Sequence, residues 1–241
     1  MTFSISACCR ETKRLAIAIA SSSPAVGARC AHLRAGIGVV ASQNITDPRL
    51  GTRALDLMAL GVPPRAIVQV FRETVPDIDY RQLAMVDAAG ETACFSGKHT
   101  LGIHATAEGG FAVAAGNLLA SAAVPQSMIS RFERSGGSDL GDRVLQAMQA
   151  GLEAGGEAGP IHSSALVMVV ADVPWPIADL RVDWHDDPIG ELARLWETWR
   201  PQMHMSHARS IRARRRPSVC RATRSERRAS RRCPSSEKRR D

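Results

Sequence analysis

Two eight-residue apolar runs, 2–9 and 14–21, flank a short polar turn, "RETK". In the first run Phe3, Ile5 and Ala7 alternate with Thr2, Ser4 and Ser6, the period of a half-buried strand. So short a link joins antiparallel neighbours, since a parallel return needs a crossover of a dozen or more residues. The chain therefore starts with a β-hairpin built directly on the residue after Met1.

The rest of the sequence repeats this grammar. A third strand is predicted over 35–43 ("AGIGVVASQ"). "DPRLGTRALDLMALG" opens with Asp-Pro and closes on Gly61, a helix with both ends marked. "VPPRAIVQVFRETV" predicts a second helix, with prolines in its first turn. "QLAMVDAAGETACFSG" reads as a hairpin turning at Ala89 and Gly90, and 109–119 ("GGFAVAAGNLL") as a strand leading into a loop at Gly116 and Asn117. Helical patterns follow at about 121–134 and 138–153. "GGEAGP" then breaks the chain before a strand at 164–171, a short strand "IADLRVD" and a last helix, "DDPIGELARLWETW". Strands in hairpins and helices in pairs predict an α+β fold with antiparallel sheets rather than a parallel βαβ sheet.

Composition narrows the class. The 241 residues are 44% apolar but only 4% aromatic, so the core must rest on Ala, Val, Leu and Ile. The longest apolar runs, "LAIAIA" and "ALVMVVA", are strand-sized, well below the ~20 residues that span a bilayer. With no signal-peptide pattern, a cytoplasmic protein without a membrane partner is expected. Cys8 and Cys9 are adjacent, while Cys30, Cys94, Cys220 and Cys233 are widely spaced and form no C-x-x-C pair. Buried, reduced thiols are expected, with no metal site.

Charge divides the chain at residue 200. Residues 200–241 hold 15 Lys and Arg against 3 Asp and Glu, whereas 1–199 carry 16 basic and 21 acidic residues. A folded domain is expected over 1–199. The Arg/Ser-rich remainder, 200–241, is predicted to be disordered because it has too little apolar surface to offset the entropy of ordering. Arginine-rich sequence of this kind is also what a shifted reading frame produces in a GC-rich gene, and the body's 14 Arg against 2 Lys fits such a genome. Nucleic-acid attraction through this tail is the alternative.

"MTFSI", "LAIAIASSSPAVGARC", "RAGIGVVASQN", "DPRLG", "QLAMVDAAG", "GNLLA", "HSSALVMV" and "DLRVDWHDDPIGELARLW" occur in this order over 1–199. Together they resemble the bacterial family of unknown function numbered 1028, which is similar in fold to the N-terminal-nucleophile (Ntn) hydrolases. The resemblance implies a four-layer αββα sandwich of two antiparallel sheets. It also implies a role for Thr2: in Ntn enzymes the side chain of the first residue attacks a carbonyl while its own α-amine takes the proton. Thr2 is small enough for methionine aminopeptidases to remove Met1.

The candidate catalytic residues are Thr2, Ser21, Ser22 and Asn117. Thr2 is either the nucleophile or a β-branched residue that starts a strand. Ser21 and Ser22 either hydrogen-bond the amine or oxyanion or form a polar strand end. Asn117 either offers its amide to an oxyanion or serves as a turn former. The resemblance also implies that Ser163 and Ser164 lie near the N-terminus, with a helix-to-strand loop as the simpler account. Arg181 and Asp183 would form an internal ion pair or bind a substrate carboxylate. His99 and His104 lack ligand partners at metal spacing.

The expected function is amide hydrolysis of a small or peptide-like substrate through Thr2, without a cofactor. The alternatives are a catalytically silent sandwich used for ligand binding or assembly, and nucleic-acid binding through the tail. Leu192, Leu195, Trp196 and Trp199 fall on one helical stripe, which predicts a homo-oligomer through the helical layer, or docking of the stripe on its own sheet.

Overall fold

A computed structural model describes residues 1–215, with side chains through Met203. The opening hairpin forms as predicted, β1 (Thr2–Cys9) against β2 (Arg14–Ser21). Both of its faces are buried, so the serines of β1 face a second sheet and not solvent.

The first sheet has six strands. β1 pairs with β8 (Ala112–Asn117), which pairs with β7 (Ala105–Gly109); β2 pairs with β9 (Ser163–Val170), which pairs with β10 (Ala178–Val182). The order is β10-β9-β2-β1-β8-β7. The second sheet runs β3 (Ala31–Arg34), β4 (Gly38–Asn44), β5 (Arg81–Asp87), β6 (Thr92–Ser96). Every pairing in both sheets is antiparallel.

Three apolar clusters fix the layers. Leu15, Ile17 and Val113 of the larger sheet meet Val39, Ala84 and Val86 of the smaller. On the outer face of the larger sheet, Phe3, Ile5 and the alanines of β2 pack against α4 (Val124–Arg134), α5 (Leu140–Glu153) and α6 (Pro188–Arg215). On the outer face of the smaller sheet, Val40, Leu83 and Met85 pack against α2 (Pro48–Ala59) and α3 (Pro64–Thr74). Two antiparallel sheets lie between helical layers, an α+β sandwich. Small side chains facing the helices allow this close packing in a chain with few aromatics.

Several boundaries differ from expectation. The third strand spans 38–44, and the preceding segment forms α1 (Val26–Cys30) and β3, elements too short to show a period. The single strand expected over 109–119 is β8 alone, because the chain reverses at Gly110 and Phe111 (φ +65°) after β7. The last helix continues past Trp199: Arg200 pairs with Asp142 at 2.9 Å, and Met203 is buried in the core. The basic segment thus starts inside a helix. Of the segment 200–241, to which the disorder, reading-frame and nucleic-acid expectations apply, 200–215 continue α6, and 216–241, with Cys220 and Cys233, lie outside the described residues.

The tryptophan stripe is covered within its own chain. Leu192 and Trp196 are buried, the Trp196 indole donates to Asp142 Oδ1 at 2.7 Å, and Trp199 donates to the Ile177 carbonyl at 3.0 Å. The stripe thus packs within its own chain, as the docking expectation had it. No helix among the described residues is long and apolar enough to cross a membrane.

Candidate active site

At one end of the larger sheet, four polar residues line up across four adjacent strands. Thr2 pairs with Asn117 of β8, and Ser21 pairs with Ser163 of β9. Thr2 Oγ1 lies 3.5 Å from Ser21 Oγ and completes the row. By the alternation of β1, Thr2 shares a face with Ser4 and Cys8, which reach the second sheet. The row therefore faces the space between the sheets, and each member is at most 5% exposed.

Met1 is held against this row. Its carbonyl accepts hydrogen bonds from Thr2 Oγ1 and, at 2.5 Å, from Ser21 Oγ. Ser21 Oγ in turn accepts from Ser23 N at 3.1 Å, which directs its own proton toward the Met1 carbonyl. A carbonyl oxygen thus sits beside the Thr2 hydroxyl with a serine O–H donating to it. Ser163 is occupied otherwise: its hydroxyl donates to the Ser23 carbonyl at 2.7 Å and accepts from Val26 N at 3.2 Å. It pins the loop after β2. Ser164 donates to the Pro188 carbonyl and anchors the start of α6. Both serines lie within β9 and not in the helix-to-strand loop that was the simpler expectation; Ser163 is near the N-terminus through its pairing with Ser21.

Asn117 belongs to a buried amide network. Ser4 Oγ donates to Gln43 Oε1 at 2.8 Å, and Gln43 Nε2 donates to Gln82 Oε1 at 2.8 Å. Asn117 Nδ2 donates to the same Gln82 oxygen at 3.0 Å, while Gln82 Nε2 donates to the Gly116 carbonyl and to Ser96 Oγ. This chain fixes which end of each amide points where. It leaves Asn117 Oδ1 as a buried acceptor without a hydrogen-bond partner. The amide nitrogen expected to serve an oxyanion is tied to Gln82.

One carboxylate at the site was not anticipated. Glu157 is 6% exposed, and both its oxygens accept from Ser22 N at 3.2 Å. Its backbone bridges to Leu119, two residues beyond Asn117. Burial pushes its carboxyl up to about 7, against the attraction of the chain's α-ammonium and its bonds to Ser22. The sequence "GGEAGP" reads as a chain break, and it is one. Gly155 (φ +117°) and Gly156 (φ +58°) adopt conformations that L side chains rarely take, and this turn carries Glu157 inward. A lone acidic residue inside a glycine turn was the available signal.

A model of the DUF1028 family, a family of unknown function, matches residues 2–192. The chain belongs to this family. A solved relative, the crystal structure of protein SPO2555 from Silicibacter pomeroyi, bears the same family designation. It is 30% identical and superposes with a TM-score of 0.76 over 82% of this chain and 85% of that one. A search among curated proteins found no match.

The DUF1028 match contains the whole row and Glu157, and it ends within α6. The four candidates Thr2, Ser21, Ser22 and Asn117 all lie at this end of the sheet, Ser22 through its bond to Glu157. The remaining candidates have separate local roles. Arg181 pairs at 2.7 Å with Asp179, on the same face of β10, and not with Asp183, which lies past the end of that strand; the Asp183 carbonyl accepts from Ala25 N. The His99 ring lies against Tyr80 at a tilt of 33°, and His104 Nδ1 bonds the Gly102 carbonyl. Among the described residues, no group of three or more His, Cys, Asp or Glu could hold a metal ion. Burial raises the thiols of Cys8, to about 11, and of Cys30 and Cys94, so these do not supply a thiolate nucleophile.

Proposed function

We propose that this DUF1028 protein is an N-terminal-nucleophile amidohydrolase that acts through Thr2 after removal of Met1. One observation carries the reading: a carbonyl, that of Met1, sits against the Thr2 hydroxyl and receives the Ser21 O–H at 2.5 Å. Loss of Met1 frees the Ser21 O–H to receive a substrate carbonyl brought against the Thr2 hydroxyl and turns the Thr2 nitrogen into a free amine. The helix-sheet-sheet-helix order supports a relationship to the Ntn hydrolases, which is part of the proposal.

The chemistry follows from these groups. An α-amine titrates near ~7.7–8.0, so its neutral form is available as a base at neutral pH. It takes the Thr2 hydroxyl proton as Oγ1 bonds to the substrate carbonyl carbon, and the carbonyl electrons move to oxygen. Ser21 O–H stabilises that oxyanion. The ammonium returns its proton to the amide nitrogen as the C–N bond breaks, which leaves an ester on Thr2 and releases an amine. A water molecule, deprotonated by the same α-amine, then cleaves the ester to a carboxylic acid and regenerates Thr2. The substrate is a small or peptide-like amide, and the protein acts as a cytoplasmic enzyme.

Intact-mass spectrometry with a β-lactone probe tests this. The expected result is a chain lacking Met1 that gains one probe mass on Thr2. A native protein that retains Met1 overturns the reading, because the base would then be an amide.

A further inference from the structure

We propose that Glu157 is the positioning residue for the catalytic amine: its carboxylate holds the α-amine freed at Thr2 and stabilises the ammonium formed when that amine takes the hydroxyl proton. This inference rests on the N-terminal-nucleophile reading above. In a hydroxyl–base–carboxylate triad, the carboxylate orients the base and supports the cation it becomes. Thr2 supplies the first two members itself, and Glu157 is placed to be the third.

The geometry is specific. The Leu119 bridge fixes the Glu157 backbone beside the end of β8, and Ser22 N fixes its carboxylate beside the end of β2. β1, which begins at Thr2, lies between those two strands. Met1 is on the same side, its side chain facing Gly159, two residues past Glu157. A carboxylate offers about four lone-pair directions, and Ser22 uses part of that capacity. A buried carboxylate needs a cation nearby, and the α-ammonium of Met1, one residue before Thr2, attracts Glu157.

Other groups around Glu157 come from each neighbouring element. The end of α5 contributes apolar Leu152, and the exposed Glu153 there is turned to Gln149. Asp186 and Asp187, ahead of α6, line the same cavity of about 240 Å³, and Asp187 accepts from Gly190 N. The end of β2 contributes Ser21, Ser22 and Ser23, and the 118–119 segment contributes leucines. Asp186 and Asp187 are exposed to solvent, which screens their effect on the amine.

The test is the pKa of the α-amine in the processed, full-length chain, read by NMR after ¹³C reductive dimethylation. Glu157→Gln keeps an acceptor for Ser22 N and removes the charge. It is expected to lower the amine pKa by about one unit or more and to move the rising limb of β-lactone labelling to lower pH. The labelling rate at plateau should fall roughly a hundredfold. Glu157→Asp keeps the charge but withdraws it by one methylene, and an intermediate amine pKa is expected. An amine pKa equal to wild type in both variants overturns the proposal. A shifted amine pKa in a wild-type chain that never accepts the probe supports the hold of Glu157 on the amine and sinks Thr2 as nucleophile.

Discussion

Thr2 and Asn117 face each other across β1 and β8, with both side chains in the space between the sheets and both almost wholly buried. A threonine that merely starts a strand has no need of such surroundings. If the hydroxyl and amine of Thr2 do the chemistry, Thr2→Ser keeps probe labelling and Thr2→Ala abolishes it. An uncleaved N-terminal tag also abolishes it without unfolding the sheet. A purely structural threonine would make the three proteins alike, apart from stability changes within the ~1 kcal/mol span of β-propensity. Labelling by intact mass, beside a thermal melt, separates the two patterns.

The amide network predicts a stability effect. Gln82 accepts from Gln43 and Asn117 and donates to Gly116 and Ser96. Gln82→Leu strands several buried groups together, at a cost of about 1–3 kcal/mol for each unsatisfied group. Ser96→Ala removes one of two acceptors for the same nitrogen and should cost less than about 1 kcal/mol. Urea denaturation that ranks the two variants equally would refute the network's structural weight.

Glu157 makes stability depend on pH. While Met1 is in place, its folded carboxyl titrates at about 7, above an ordinary 4.5. Between those values the folded chain holds a proton that the unfolded chain has released. Stability from this group is therefore full below pH 4.5 and is lost as pH rises through 7, by up to about 3 kcal/mol. Glu157→Gln should remove that loss, so the variant should gain on wild type as pH climbs from 5 to 8. Melting curves across this range check the sign.

The docking of α6 can be tested at a single glycine. A Cβ on Gly141 would lie 2.3 Å from Trp196 Cζ2, and the ring has no room because its indole is tied to Asp142. Gly141→Ala is expected to destabilise by roughly 1–3 kcal/mol, despite the better helix propensity of alanine. A neutral or stabilising result in chemical denaturation would mean that Trp196 faces elsewhere.

Much of this was legible in the sequence where pattern and period are local. The opening hairpin, the Asp47-capped helix and the Ala89–Gly90 turn follow from side-chain alternation and turn chemistry. β3 and α1, with four and five residues, are too short for any period to register. Thr2 could be chosen because the family resemblance implies a nucleophile there, Ser21 and Ser22 because the second strand runs out on serines, and Asn117 because an amide follows Gly116. Their alignment depends on strand order, which no local pattern encodes. Gln43 and Gln82 read as ordinary strand residues until the second sheet closes over Ser4. Glu157 lay hidden because glycine turns are normally solvent-exposed, and only the Leu119 bridge draws this one inward.

The four residues of the row stand at positions 2, 21, 117 and 163, so the site spans most of the folded body's length. Contacts between residues so far apart in sequence form late, because each carries a large loop-closure cost. On the ribosome, the threonine emerges long before β9 is made, and for most of synthesis it has no Ser163-anchored loop beside it. If Thr2 is the nucleophile, its reactivity arrives only when the last strands of the larger sheet are in place, and an unfinished chain carries no assembled site.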